Sequence, residues 1–259
     1  MLRFDLAQLQ PLIGALFWPF VRIGACLMVA PVFGAQFVPR RIRILLAAAF
    51  TLLVAPLLPP SGTPELMSVD GFMTTFQQVL IGLVLGSLLQ MVFDAVALGG
   101  QLLANGMGLG FAFNLDPLRG VTTPALGQLY LVLGTLTFLS LNGHLALIQL
   151  LNDSFRALPV GTDGLAMTDL RLAADWGSAM FAGSLRIALP GMTALLVVNL
   201  AFGVVSRAAP SLNLFAVGLP VTLVVGIAVV LFALPAMQSG FVTLMNQGFQ
   251  FLRMLLGMG

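Results

Sequence analysis

No lysine occurs anywhere in the sequence, and all eleven basic residues are arginine. A phosphate-loop lysine is therefore excluded, and with it P-loop nucleotide hydrolysis. Schiff-base chemistry with retinal or pyridoxal phosphate is excluded for the same reason. His144 is the single histidine, which rules out H-E-x-x-H zinc sites and bis-histidine haem ligation. Cys26 is the single cysteine and stands in an apolar run, so neither an intramolecular disulfide nor a cysteine-rich metal cluster can form. Hydrolase signatures are missing too: there is no G-x-S-x-G and no pair of catalytic carboxylates. No cofactor and no metal is expected. What remains is scaffold, transport or pore formation, and not an enzyme.

Charge is the other scarcity. Only 8% of the 259 residues are charged, whereas a soluble domain carries about a quarter. Against that stand 59% hydrophobic residues and a mean hydropathy of +1.05, the composition of a lipid-facing protein. The run from Pro11 to Val38 is too long for a signal-peptide core, holds Pro19, Arg22 and Pro31, and ends in basic residues. It reads as a retained membrane segment.

Six apolar blocks follow one another, at 12–38, 42–58, 72–104, 124–151, 177–206 and 217–256, each approaching the ~20 residues of a bilayer crossing. The fold class expected is an all-α membrane protein. The third block would be a helix of ~50 Å, which must tilt, break or leave a ~30 Å hydrocarbon core. Pro19, Pro31, Pro56, Pro190, Pro220 and Pro235 interrupt the blocks, and such breaks are tolerated where neighbouring protein satisfies the freed backbone groups. Broken helices therefore argue for a packed assembly. With six crossings the arginines divide almost evenly: Arg40, Arg41, Arg43, Arg119 and Arg207 on one side, Arg3, Arg156, Arg171 and Arg253 on the other. The cluster at 40–43 places that turn in the cytoplasm.

Polar residues inside the blocks carry the remaining information. Gln78, Gly82, Gly86, Gln90 and Asp94 recur every four residues, a stripe that drifts about 40° per step and suits helices crossing at an angle. It is either a packing face or a water-lined face on which Asp94 titrates. Arg22 and Arg186 are embedded in apolar sequence, as ion-pair or partner-contact groups or as side chains that snorkel to an interface. His144 is a proton relay or a buried histidine bonded to backbone. The segment Asn105-Gly-Met-Gly-Leu-Gly-Phe-Ala-Phe-Asn-Leu-Asp-Pro117 joins helix-breaking glycines to bulky Met107, Leu109, Phe111 and Phe113, and closes on Asp116-Pro117. It is a plug for a constriction or a packed re-entrant connector.

Several stretches resemble the FliR family of flagellar type III export proteins. They are Phe20-Val-Arg-Ile-Gly24 through Ala30-Pro-Val-Phe-Gly34, Val38-Pro-Arg-Arg-Ile-Arg43, and Gly106 to Pro117. Asn142-Gly-His-Leu-Ala-Leu-Ile148, Asp153-Ser-Phe-Arg-Ala-Leu-Pro-Val-Gly161 and Arg207-Ala-Ala-Pro-Ser-Leu-Asn-Leu-Phe-Ala-Val-Gly-Leu-Pro220 extend the likeness along the whole chain. The resemblance implies a subunit of a helical hetero-oligomeric export gate in the bacterial inner membrane and flagellar basal body, partly on the periplasmic side. Residues 1–175 would be similar in fold to FliP and 176–259 to a FliQ hairpin. FliP, FliQ and FlhB would be partners, and unfolded flagellar subunits the cargo; nucleic acid would not be a partner. It also maps the family's plug onto Gly106 to Pro117. The injectisome equivalent shares the fold and differs in cargo. A secondary transporter, the alternative of another class, would need matching interrupted halves and clustered polar ligands, and the sequence has neither.

Overall fold

The computed structural model describes residues 6–58, 64–109, 125–162, 164–208 and 214–258, with side chains left out at 6–12, 206, 214–217 and 219. The described residues are helical or in turns, without a strand. The helices are α1 (Leu6–Val29), α2 (Arg40–Val54), α3 (Val69–Gly106), α4 (Ala125–Ser140), α5 (Gly143–Ala157), α6 (Met167–Asp175), α7 (Gly177–Ala208) and α8 (Leu214–Leu255). The chain is an all-α membrane protein. Among the described residues three stretches are long and apolar enough to cross a bilayer: Val69–Gly106, Met167–Val205 and Pro220–Leu255. The pair α4 and α5, bent by 67°, makes a fourth if counted as one broken span.

Six apolar blocks thus give three or four candidate spans. In α1 the apolar part Ile13–Val29 is too short by that measure, and α2 has 15 residues. Proline also acts less often as a breaker than the sequence suggested. Pro31 follows the end of α1 and Pro56 lies in a short 3-10 turn, but Pro19, Pro190, Pro220 and Pro235 sit inside helices that continue. Each costs one backbone bond, a loss that a long helix held along its length tolerates.

Helix ends follow local chemistry. Ser68 caps α3: its Oγ accepts the Gly71 N–H at 3.0 Å, in the position three residues on that an N-cap serves. At the other end Gly108 adopts φ +80°, Gly108 N–H donates to Asn105 O at 3.1 Å, and Leu109 N–H donates to Ala104 O at 3.0 Å. That pair of bonds is a Schellman stop, which a glycine enters without strain. Asn142 (φ 57°, ψ 28°) makes the left-handed turn between α4 and α5. Asp169 Oδ2 accepts the Ala166 N–H at 2.9 Å and opens α6.

The residues form two compact units that do not follow chain order. One comprises Met1–Met91, Leu141–Gly177 and Asn246–Gly259. There α3 lies directly on α1: a Cβ at Gly82 would strike the Arg22 carbonyl, and one at Gly86 would come within 2.6 Å of Cys26 O. Backbones approach this closely only where side chains are missing. Trp18, Ile23, Cys26, Leu27, Ile81 and Leu85 are buried around this contact, and Trp176 stacks on Phe251 at 4.8 Å.

The second unit comprises Val92–Ser140 and Ser178–Met245. Its aromatic centre is Phe93, which meets Phe138 and Phe241 edge-on at 5.3 and 5.4 Å. Here Gly100 of α3 faces Leu126 and Gly127 of α4, and Gly99 faces Ser184 and Ile187 of α7. A single helix thus presents small residues toward α1 early and toward α4 and α7 later.

Candidate functional site

Each unit holds one cluster of interest, built on the residues the sequence singled out. In the first, Arg22 is fully buried on α1. Its guanidinium donates from Nε to Gln78 Oε1 at 2.8 Å, and from Nη1 to Ser154 O and Oγ at 2.9 and 3.2 Å. Nη2 donates to Leu158 O at 2.7 Å. The Phe155 ring lies 4.2 Å from Cζ, a cation–π contact. Every acceptor here is a carbonyl or hydroxyl oxygen, and none is a carboxylate.

A buried cation without a counter-ion is costly unless its donors are satisfied. The partial negative end of a helix supplies the compensation. Ser154 stands in the last turn of α5 and already accepts the Leu158 N–H at 2.9 Å, so the guanidinium is its second donor, whereas the carbonyl of the C-cap residue Leu158 belongs to the group that a helix leaves unpaired at its C-terminus. Arg22 therefore terminates α5 while tying it to α1 and, through Gln78, to α3. The cradle residues Ser154, Phe155 and Leu158 all fall in the stretch Asp153 to Gly161 noted for its resemblance. What the sequence did not connect is that stretch with Arg22, more than 130 positions away.

The second cluster is the C-terminal end of α3 and lies in the other unit. Leu103 and Met107 are buried there. A Cβ at Gly191 of α7 would come within 2.5 Å of Leu103 Cδ2, and one at Gly226 of α8 within 2.6 Å of Met107 Cγ. Each glycine is therefore a notch occupied by an α3 side chain. Asn199 Nδ2 donates to Gly106 O at 3.3 Å, and Leu195 packs on Gly106. The root of the glycine-rich segment is seated between α7 and α8. Asn199, Gly191 and Gly226 were not singled out from sequence, because nothing local distinguishes them from other small or polar residues in apolar helices.

Of the plug candidates, Met107 is buried in this seat and Leu109 is half-buried just past the Schellman turn. Phe111, Phe113, Asp116 and Pro117 lie outside the described residues. Gln90 is half-buried and Asp94 exposed on α3. Arg186 is exposed on α7 and makes no ion pair among the described residues. His144 is the second residue of α5, half-buried, with Nδ1 shielded from solvent and without a hydrogen-bond partner. Among the described residues no three His, Cys, Asp or Glu side chains gather into a metal site.

Residues 13–248 match the model of the bacterial export proteins, family 1. The flagellar biosynthetic protein FliR of Pectobacterium carotovorum subsp. carotovorum is 40% identical over 235 residues, covering 91% of this chain and 90% of its own. That of Escherichia coli K12 is 39% identical over 219 residues, covering 85% and 84%. That of Bacillus subtilis 168 is 33% identical over 210 residues, covering 80% of each.

Proposed function

The chain belongs to the FliR family of bacterial export proteins, and from that premise we propose that it is a structural and gating subunit of the flagellar type III export gate. It is a flagellar export protein with membrane-spanning helices, and the finer reading concerns what it builds. Together with FliP and FliQ, and with FlhB at the closed entrance, it lines the path of unfolded flagellar subunits through the inner membrane. Residues 1–175 take the FliP-like role and 176–259 the FliQ-like one. The role is structural, without catalysis.

One observation supports partners above all. In their most apolar windows the segments Met167–Val205 and Pro220–Leu255 have only 22% of residues buried, against 61% in Val69–Gly106. Bulky side chains such as Phe181, Leu196, Leu200 and Phe232 are left uncovered. Gln238, Ser239, Thr243 and Arg186 are exposed on the same two long helices. Polar and charged groups are costly against lipid, so a face that mixes them with large apolar residues suits neighbouring protein better than bare acyl chains.

For gating, we assign the segment from Gly106 to Pro117 as a plug whose apolar side chains keep water and ions out of the closed path. Co-expression with the neighbouring membrane proteins, followed by mass measurement in detergent, tests the assembly. A large complex with one copy of this chain and several of small partners is expected. A lone monomer or a symmetric dimer refutes it and favours a transporter. Deleting Phe111 to Phe113 in the assembled complex should raise ion leak across the membrane; an unchanged leak removes the plug assignment.

A further inference from the structure

Three buried polar atoms on one turn of α3 have no protein partner: Thr74 Oγ1, Gln77 Oε1 and Gln78 Nε2. Thr74 and Gln78 are both fully buried. At 100° per residue the three side chains fall within an arc of about 100°, so they leave the helix on one side. The orientation of the Gln78 amide is set by Arg22, whose Nε already occupies its oxygen at 2.8 Å. Its NH2 must therefore point elsewhere. Over Gln77 the chain passes at Gly164, where a Cβ would collide with the Gln77 amide oxygen. That close crossing covers the turn.

Leaving such atoms unpaired is expensive, and native interiors rarely do so. The donor set identifies what completes them. Gln78 Nε2 can only donate, Gln77 Oε1 can only accept, and the Thr74 hydroxyl does both. An anion would be repelled by the Gln77 oxygen, and a cation by the Gln78 amino group and the Arg22 charge next to it. Water, the smallest ligand that donates and accepts at once, matches this set, and buried waters typically make about three bonds. We propose that Thr74, Gln77 and Gln78 hold a structural water that completes the hydrogen bonding of the Arg22 clamp.

The proposal turns on the Thr74 hydroxyl, which can be removed without changing shape. Thr74→Val deletes the hydroxyl and preserves the volume; Thr74→Ser keeps the hydroxyl and deletes a methyl group. If the hydroxyl is truly unpaired, valine is neutral or stabilising, because a buried orphan is replaced by an apolar isostere. If it binds water, valine breaks a bond at both ends. Thermal midpoints are compared for the full chain purified in its membrane complex. Thr74→Val is expected to lower the midpoint by about 2–4 °C, with Thr74→Ser close to the parent. An unchanged or raised midpoint for valine overturns the proposal, as does an equal drop for both variants, which would report packing. A parent midpoint that moves when chloride is exchanged for gluconate, while that of Thr74→Val does not, overturns it in favour of an anion. A high-resolution map of the complex should also show density between Thr74 and Gln78; bare protein there refutes the site.

Discussion

Replacing Arg22 by methionine tests whether the guanidinium holds the first unit together. Methionine is two atoms shorter but fills much of the arginine's volume, so the change removes four donated hydrogen bonds and the contact with Phe155 while limiting the cavity left behind. Four acceptors lose a charged donor, Gln78 Oε1, Ser154 O, Ser154 Oγ and Leu158 O, and of these Ser154 O keeps the Leu158 N–H. Each buried acceptor left unpaired costs about 1–3 kcal/mol. Part of this is offset, because methionine carries no charge to desolvate and a buried ion loses several kcal/mol of hydration. Breaking a buried charged network from one side costs about 3–5 kcal/mol net, and that is the loss expected here. For a chain of this size the thermal midpoint should fall by roughly 10 °C. The measurement is the midpoint and yield of the complex in detergent, repeated with Gln78→Met alone and with both changes. Because the amide is stranded only when its donor is gone, the double variant should lose about 0.5–3 kcal/mol less than the sum of the singles. Strict additivity, or an Arg22→Met protein within about 1 kcal/mol of the parent, would refute the clamp.

Glycine substitutions should separate backbone contacts from open positions. Gly82→Ala pushes a Cβ into the Arg22 carbonyl, which cannot yield without parting α1 from α3, whereas at Gly24 the nearest atom is Ala47 Cβ at 3.9 Å. The first is expected to abolish recovery of folded protein and the second to leave it unchanged; equal yields would refute the packing argument. Gly226→Ala crowds Met107 and should cost about 1–3 kcal/mol, and adding Met107→Ala should recover part of that loss in thermal unfolding. A double variant no better than Gly226→Ala alone would show that the notch is not what seats Met107. At Gly108, where φ is +80°, alanine should destabilise by about 1 kcal/mol and asparagine by less, read as a shift in the same midpoint. Equal shifts would mean that left-handed backbone does not set the end of α3.

Sequence alone determined that the chain is apolar, helical and membrane-bound, because composition and the length of uninterrupted apolar runs are local quantities. The glycines of 105–117 marked the end of α3, but neither Ser68 nor Asn142 stands out in the sequence, where the apolar block 124–151 runs straight through the left-handed turn at Asn142. The four-residue stripe on α3 was legible as a pattern, but not which neighbour each glycine would meet. Tertiary structure decided that Gly82 and Gly86 receive α1, that Gly99 and Gly100 face α7 and α4, and that α3 runs for 38 residues. It decided that Pro190 and Pro235 lie inside helices without ending them. It also decided that Arg22, which reads from sequence as half of an ion pair or a snorkelling side chain, closes the end of α5 instead. The reason is physical: a local pattern records what a residue must be shielded from, whereas the oxygen that receives its proton is supplied by whichever distant backbone the packing of small residues allows to come close.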